Sequence, residues 1–237
     1  SASRPPPNRS THVNVRRRDL IGLLGLALGP IFSAATLSLP IIFTASKAAA
    51  KSQNRPLEPG VATALINTLG NAAVAMLSDR TINQPEKIRR FRHLLNQSFA
   101  LKGIARFALG RYWRRAAPPQ RKRYLKLFED YIVNSYAARF GNYSGEKFIV
   151  LRESIDARGW AGVTTRIQRR GGEPVDVIWH LRERLGAVRV VDVVVEGISM
   201  SLTQRSDFAA AVRMVAGDLD AFLDTLEAKV RNIKPAS

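Results

Sequence analysis

Between Val190 and Leu226 the apolar spacing of the chain changes from that of a strand to that of a helix, and this change limits the folds open to it. Val191, Val193 and Val195 alternate with Asp192, Val194 and Glu196, as in a strand with two unlike faces. Gly197 interrupts the strand, after which Ile198, Met200 and Leu202 resume an apolar face at every second residue. Further on, Phe208, Val212, Val215, Leu219, Phe222 and Leu226 are spaced three or four apart, which draws one stripe along a helix. Ser206 is placed to cap that helix, and Asp207 to complement the positive end of its dipole. A sheet edge that runs into a long amphipathic helix predicts a helix closing over the sheet.

The preceding residues supply the rest of such a fold. Residues 51–59 read as a linker. Val61, Leu65, Leu69, Ala72 or Ala73, and Met76 share the face of a first helix. Pro85 can open a second, with Ile88, Phe91, Leu95 and Phe99 as its stripe. Ile104 to Leu109 is a further helical segment ending at Gly110, and Pro118-Pro119 opens a long helix striped by Leu125, Phe128, Ile132, Tyr136 and Phe140. After Gly141 the period becomes two. Strands are predicted over Lys147–Ile155, Trp160–Gln168, Val175–Arg182 and Val188–Val195. The breaks between them are short enough for hairpins and an antiparallel meander. The plan is α+β: an N-terminal helical layer, an antiparallel sheet of four to five strands, and a closing C-terminal helix. Residues 60–230 form its single domain, and 231–237 a tail.

The first 50 residues differ in kind. Residues 1–15 are rich in Pro, Ser and Asn and are predicted to be disordered. Arg16-Arg17-Arg18 then precedes an apolar run from Leu20 to Phe43, and Ala48-Ala49-Ala50 offers a small-residue cleavage site. Basic flank, apolar middle and small-residue exit make an export signal cleaved after Ala50. The arginines before Asp19-Leu20-Ile21 resemble a twin-arginine signal. A retained anchor is the competing reading, since about 20 apolar residues can span a bilayer. Pro30 and Pro40 count against it.

The chain carries 37 basic and 19 acidic side chains, a formal charge of +18, and all but six of the basic ones lie beyond residue 50. Such a field favours anionic partners. Arg89, Arg90 and Arg92, and further clusters around Trp113 and Tyr124, offer phosphate contacts beside rings on which bases could stack. The clusters fall on several helices, no nucleic-acid motif accompanies them, and export removes the chain from nucleic acid, so no nucleic-acid partner is expected. Catalytic and metal readings find little support. Cysteine is absent, and His12, His93 and His180 lie far apart in sequence. Ser199 follows Gly197, but Ser201 stands where a nucleophile elbow needs glycine. Asp192 and Glu196 share a strand face, where pairing with Arg189 is the plainer role. No catalytic residue, metal or cofactor is predicted.

The run Asp192 to Met200 (DVVVEGISM) followed by Gln204 to Phe208 (QRSDF) resembles the signature of the MlaC, or toluene-tolerance, family of periplasmic phospholipid carriers. Leu109 to Arg114, Gln120-Arg121 with Phe128, and Tyr143 to Glu146 extend the resemblance over roughly residues 60 to 227. It implies a curved sheet like that of nuclear transport factor, with a lipid slot between sheet and helices. The candidate lining is Val177, Trp179, Val191, Val193 and Val195 on the sheet, then Phe107, Trp113, Phe128, Ile132 and Tyr136 on the helices. Met200 is an adaptable filler beside the closing helix. The implied partners are a phospholipid, an inner-membrane ABC transporter with its periplasmic substrate-handing subunit, and an outer-membrane lipoprotein complex. Two positions depart from the pattern. Phe99-Ala100-Leu101 lacks an acidic residue often found between aromatics, and Val188 stands where an aromatic is common. The related HpnM branch, associated with hopanoids, is the alternative within the fold. From other classes, a membrane-anchored interaction module and a basic nucleic-acid binder are the alternatives.

Overall fold

A computed structural model of the chain describes residues 57–169, 171–184 and 186–233. The residues read as an export signal, most of the predicted linker and the end of the predicted tail lie outside the described residues.

Helix α1 covers Val61–Ser78, α2 Gln84–Ser98, α3 Leu101–Leu109, α4 Arg111–Arg115 and α5 Pro118–Ala137. A 3-10 turn at Phe140–Asn142 leads into the sheet, whose strands are β1 Lys147–Ile155, β2 Ala161–Gln168, β3 Val175–Arg184, β4 Ala187–Val195 and β5 Ile198–Ser199. Helices α6, Met200–Met214, and α7, Leu219–Asn232, complete the fold. The strands lie in chain order and every neighbouring pair is antiparallel, the predicted meander.

Local chemistry accounts for most boundaries. Asn83 caps α2, its side chain accepting from the Glu86 amide, and Pro85 sits in the first turn, where its missing N–H is not needed. Gly110 ends α3 with φ 59°. Pro118 opens α5, and Gln120 reaches back to accept from the Ala117 amide.

The stripe predicted for α1 is turned by about one residue: Ala62, Ile66, Leu69 and Met76 are buried, while Val61 is 42% exposed. By length and composition α1 could cross a membrane. Here Ile66 and Leu69 instead pack against Val163, Leu181 and Val190 of the sheet. Helix α5 buries Tyr124, Leu127, Phe128 and Tyr131, so its inner face lies to one side of the predicted stripe, and Tyr136 stays exposed.

The C-terminal region departs furthest from the sequence reading. The helix begins at Met200, capped by Ser199 and not Ser206, so Met200 and Leu202 belong to a helix and not to a resumed strand. Asp192 accepts from the Ser199 hydroxyl at 2.6 Å and from the Ser201 amide at 3.0 Å. Its partner is therefore the start of α6, and not Arg189. Glu196 stands apart from it, in the exposed turn before β5, with φ 50°. Asp207 lies within α6, beyond its first turn, where burial holds its carboxyl above the ordinary range against the pull of Lys229. The single long helix is two, broken where Ala216 and Gly217 take φ of 53° and 84°. The stripe still holds: Phe208, Val212, Phe222 and Leu226 meet in one cluster, with α3, α4 and α5 rather than over the sheet.

Candidate functional site

Two register shifts decide what the sheet presents to the helices. In β4 the pairing passes from His180 with Asp192 to Leu181 with Val190, which leaves Val191 unmatched. Val190 thus takes the inner face, at 0% exposure, beside Val193 and Val195, while Val191 falls in the bulge and is half-buried. In β1 a shift between Val150 and Arg152 puts Glu153 opposite Val163. Its Oε2 accepts from the Thr63 hydroxyl at 2.5 Å and from the Gly60 amide at 3.1 Å, which ties the sheet to the start of α1.

The inner face is apolar through Val163, Val177, Trp179 and Val193, and its one indole is held in place. Trp179 Nε1 donates to Thr165 Oγ1 at 2.9 Å, and Thr165 is fully buried. With its polar atom satisfied inside the sheet, Trp179 offers only ring surface elsewhere. Phe99 and Phe148 each meet it edge-on, with centroids 6.3 Å away. Phe99 also joins the sheet to a small cluster of Leu95, Leu101 and Val133, to which Ile88, Phe91 and Ile132 add. Phe91 in turn contacts Tyr136 at 6.1 Å and Phe140 at 5.2 Å. Two groups of rings result, Tyr136, Phe91 and Phe140 between α5 and α2, and Phe99, Trp179 and Phe148 at the sheet, bridged by the aliphatic cluster around Leu95.

These rings are not packed as a closed core would pack them. Phe91, Leu94, Phe99, Ile132, Phe148 and Trp179 are all partly exposed, whereas Phe128 and Val212 of the helical cluster are at 1% and 0%. Tyr136 is the most informative. It keeps 40% of its surface accessible, yet surrounding protein crowds it enough that burial pushes its phenol above the usual range, outweighing Arg139. The half-exposed rings between the helices and the sheet are the surface that a crevice for an apolar ligand would use. At Gly70 a Cβ would fall 2.5 Å from the Phe148 ring, so this ring packs directly against α1.

The predicted lining divides between two places. Val177, Trp179, Val193, Val195, Ile132 and Tyr136 belong to the sheet face and the rings that continue it. Phe128 is inside the helical cluster, and Trp113 packs on its margin, between Arg106 and Arg121 at 5.1 and 5.3 Å. Phe107 is 40% exposed beneath Arg205. Met200 is half-buried in the first turn of α6. Phe91, Leu94, Phe99 and Phe148 were absent from the predicted lining. The signal for them was the α2 stripe, two of whose four members are aromatic on an otherwise polar helix. A shallow depression at the α1–α2 turn, lined by Ile82, Pro85 and Arg89, shares no residue with this crevice.

Residues 67–228 match the family described as MlaC protein. Toluene tolerance protein ttg2D of Pseudomonas putida is 26% identical over 127 residues, 54% of this chain and 59% of that protein, so the match spans less than two thirds of that relative. A phospholipid-binding protein from Ralstonia solanacearum, solved in complex with a phospholipid, has a TM-score of 0.63 at 18% identity, covering 72% of this chain and 97% of its own. That likeness is one of fold. With more than half of its length matched by the family, the chain belongs to the MlaC protein family.

Proposed function

We propose that the crevice beside Trp179 holds the acyl chains of a phospholipid, and that the chain is an exported periplasmic carrier passing lipid between an inner-membrane ABC transporter and an outer-membrane complex. The carrying observation is the set of half-exposed rings, Phe99, Phe148 and Trp179, on the apolar inner face of the sheet, with Phe91 and the 40% exposed Tyr136 beside them. Membership of the MlaC family and the phospholipid complex of the Ralstonia protein support the same reading.

The physical need for such a crevice is large. Leaving acyl chains in water costs about 0.8 kcal/mol per CH₂, on the order of 20 kcal/mol for two chains. An apolar slot removes that cost without chemistry, which suits a lining of Val, Phe and Trp side chains with no acid–base pair among them. Release requires that the slot open again, and half-buried rings with space around them can move more readily than a filled core.

The test is lipid extraction and mass spectrometry on protein purified without detergent. A diacyl phospholipid at about one per chain is the expected result, and Trp179→Asp should abolish it while the folded protein persists. A hopanoid in the same amount would keep the carrier and change its cargo. Lipid-free protein whose stability is unchanged by delipidation would overturn the proposal.

A further inference from the structure

From Ala100 to Phe128 the chain has nine Lys and Arg residues and no Asp or Glu. Three of the nine are engaged locally: Arg123 with Asp224 and Glu227, Lys126 with Asp130, and Arg121 with backbone carbonyls of Trp113 and Arg114. Lys102, Arg106, Arg111, Arg114 and Arg115 are exposed and form no ion pair among the described residues. Arg205 of α6 joins them, since its guanidinium lies 4.8 Å from the Phe107 ring and against Gly110.

Several of these cations lie against the protein's own rings. Arg106 covers Trp113, while Arg111 and Arg115 flank Tyr112 at 5.0 and 6.0 Å. Two large apolar side chains stand among them: Phe107 at 40% and Leu202 at 59% exposure. Leu202 and Arg205, three apart on α6, share one helical face. Uncompensated charge with apolar side chains protruding through it is the composition of an interfacial surface, where cations meet headgroups and apolar tips enter the acyl boundary. An acidic protein would find the charge but would have to bury Phe107 and Leu202 in matching hollows.

We propose that the outer face of α3, α4 and the start of α6 is a docking surface for an anionic phospholipid bilayer. It is separate from the crevice, whose rings come from α2, α5 and the sheet, and does not require that the crevice carry lipid. Binding by this surface depends on charge and on shallow insertion, so it should be strong on bilayers with anionic headgroups, weak on zwitterionic ones, and screened by salt.

The experiment is flotation of the whole protein with vesicles of phosphatidylcholine containing about 30 mol% phosphatidylglycerol, against phosphatidylcholine alone, with the vesicle-bound fraction as readout. Binding is expected only with phosphatidylglycerol and should be lost at about 0.5 M salt. Arg106→Glu with Arg114→Glu should weaken it more than about tenfold, whereas Arg80→Glu with Arg184→Glu, the same change of net charge elsewhere, should leave most of it. Phe107→Ser with Leu202→Ser should weaken it several-fold at unchanged charge. Thermal melts of each variant confirm folding. Equal losses from both charge pairs would overturn the proposal in favour of unspecific net charge. Binding to soluble polyglutamate as tight as to vesicles, and indifferent to the Phe107 and Leu202 changes, would overturn it in favour of an acidic protein face.

Discussion

Asp207 carries a cost that its neighbours do not. Burial raises its carboxyl pKa, and Lys229 offsets this only in part. An acid whose folded pKa lies above its unfolded value contributes no penalty while protonated and destabilises the fold once pH rises through the folded pKa. Asp207→Asn should therefore raise the melting temperature at neutral pH. The gain should shrink as pH falls through the ordinary carboxylate range, which melts at a series of pH values would follow. Asp176 and Asp156 behave in the opposite sense. The Arg166 guanidinium lowers the first, and the Trp160 amide together with Arg158 lowers the second, so their contributions hold above the usual carboxylate pKa and fade in acid. Both pairs are exposed, and their effect is small. Asp192 does more, because it accepts from both a hydroxyl and an amide at the first turn of α6. Asp192→Ala should cost about 1–2 kcal/mol, read as a lower urea midpoint at unchanged slope.

At the scale of elements, much of the fold was legible in the sequence. The hairpin glycines and the period-two runs placed four strands, β1 to the residue, because both strand faces and turn chemistry are local properties. The register shifts were not legible. A bulge is settled by what lies across it, and in β4 it exchanged Val191 for Val190 on the inner face without altering the alternation that the eye follows. The C-terminal stripe was read correctly as a set of residues and wrongly as one helix. Phe208 through Leu226 keep helical spacing even though Ala216 and Gly217 turn the chain between them. Ser206 lost the cap to Ser199, since the Asp192 carboxylate that organises the helix start comes from a different strand. For the candidate site, the sequence pointed to the apolar residues of the sheet face and to Tyr136, while Phe91, Phe99 and Phe148 enter with the structure. Which side of α2 meets the sheet, and which side of α5 meets α2, depends on packing between layers, and neither stripe encodes it.

Over the whole molecule, the described apolar residues form two large clusters and a small one between α2 and α5. The helical cluster of α3 to α7 is closed around Phe128, Val212 and Leu223, while at the sheet Val163, Leu181 and Val190 pack against Ile66 of α1 beside the half-exposed rings of Phe99, Phe148 and Trp179. In the second, Gly70 of α1 lies directly against the Phe148 ring. An added methyl there must displace the Phe148 ring, which also contacts Trp179. Gly70→Ala should consequently narrow the crevice and lower lipid occupancy, while costing stability of about 1–3 kcal/mol. Phe148→Ala in the same chain should restore both in part. Occupancy by mass spectrometry and melting temperature, measured together on the single and double variants, check the pair.

The three tryptophans sit in surroundings unlike enough to tell apart by light. Trp113 lies between two guanidinium groups, and Trp160 beneath Arg158 and Arg182, so both indoles are stacked against cations near the surface. Trp179 is anchored to Thr165 and surrounded by phenyl rings and valines. Displacement of solvent from the crevice would change the emission of that indole and leave the other two as internal standards. Under the proposed carrier function, Trp179 would be an unlabelled optical gauge of loading and unloading, readable in a variant that keeps it alone.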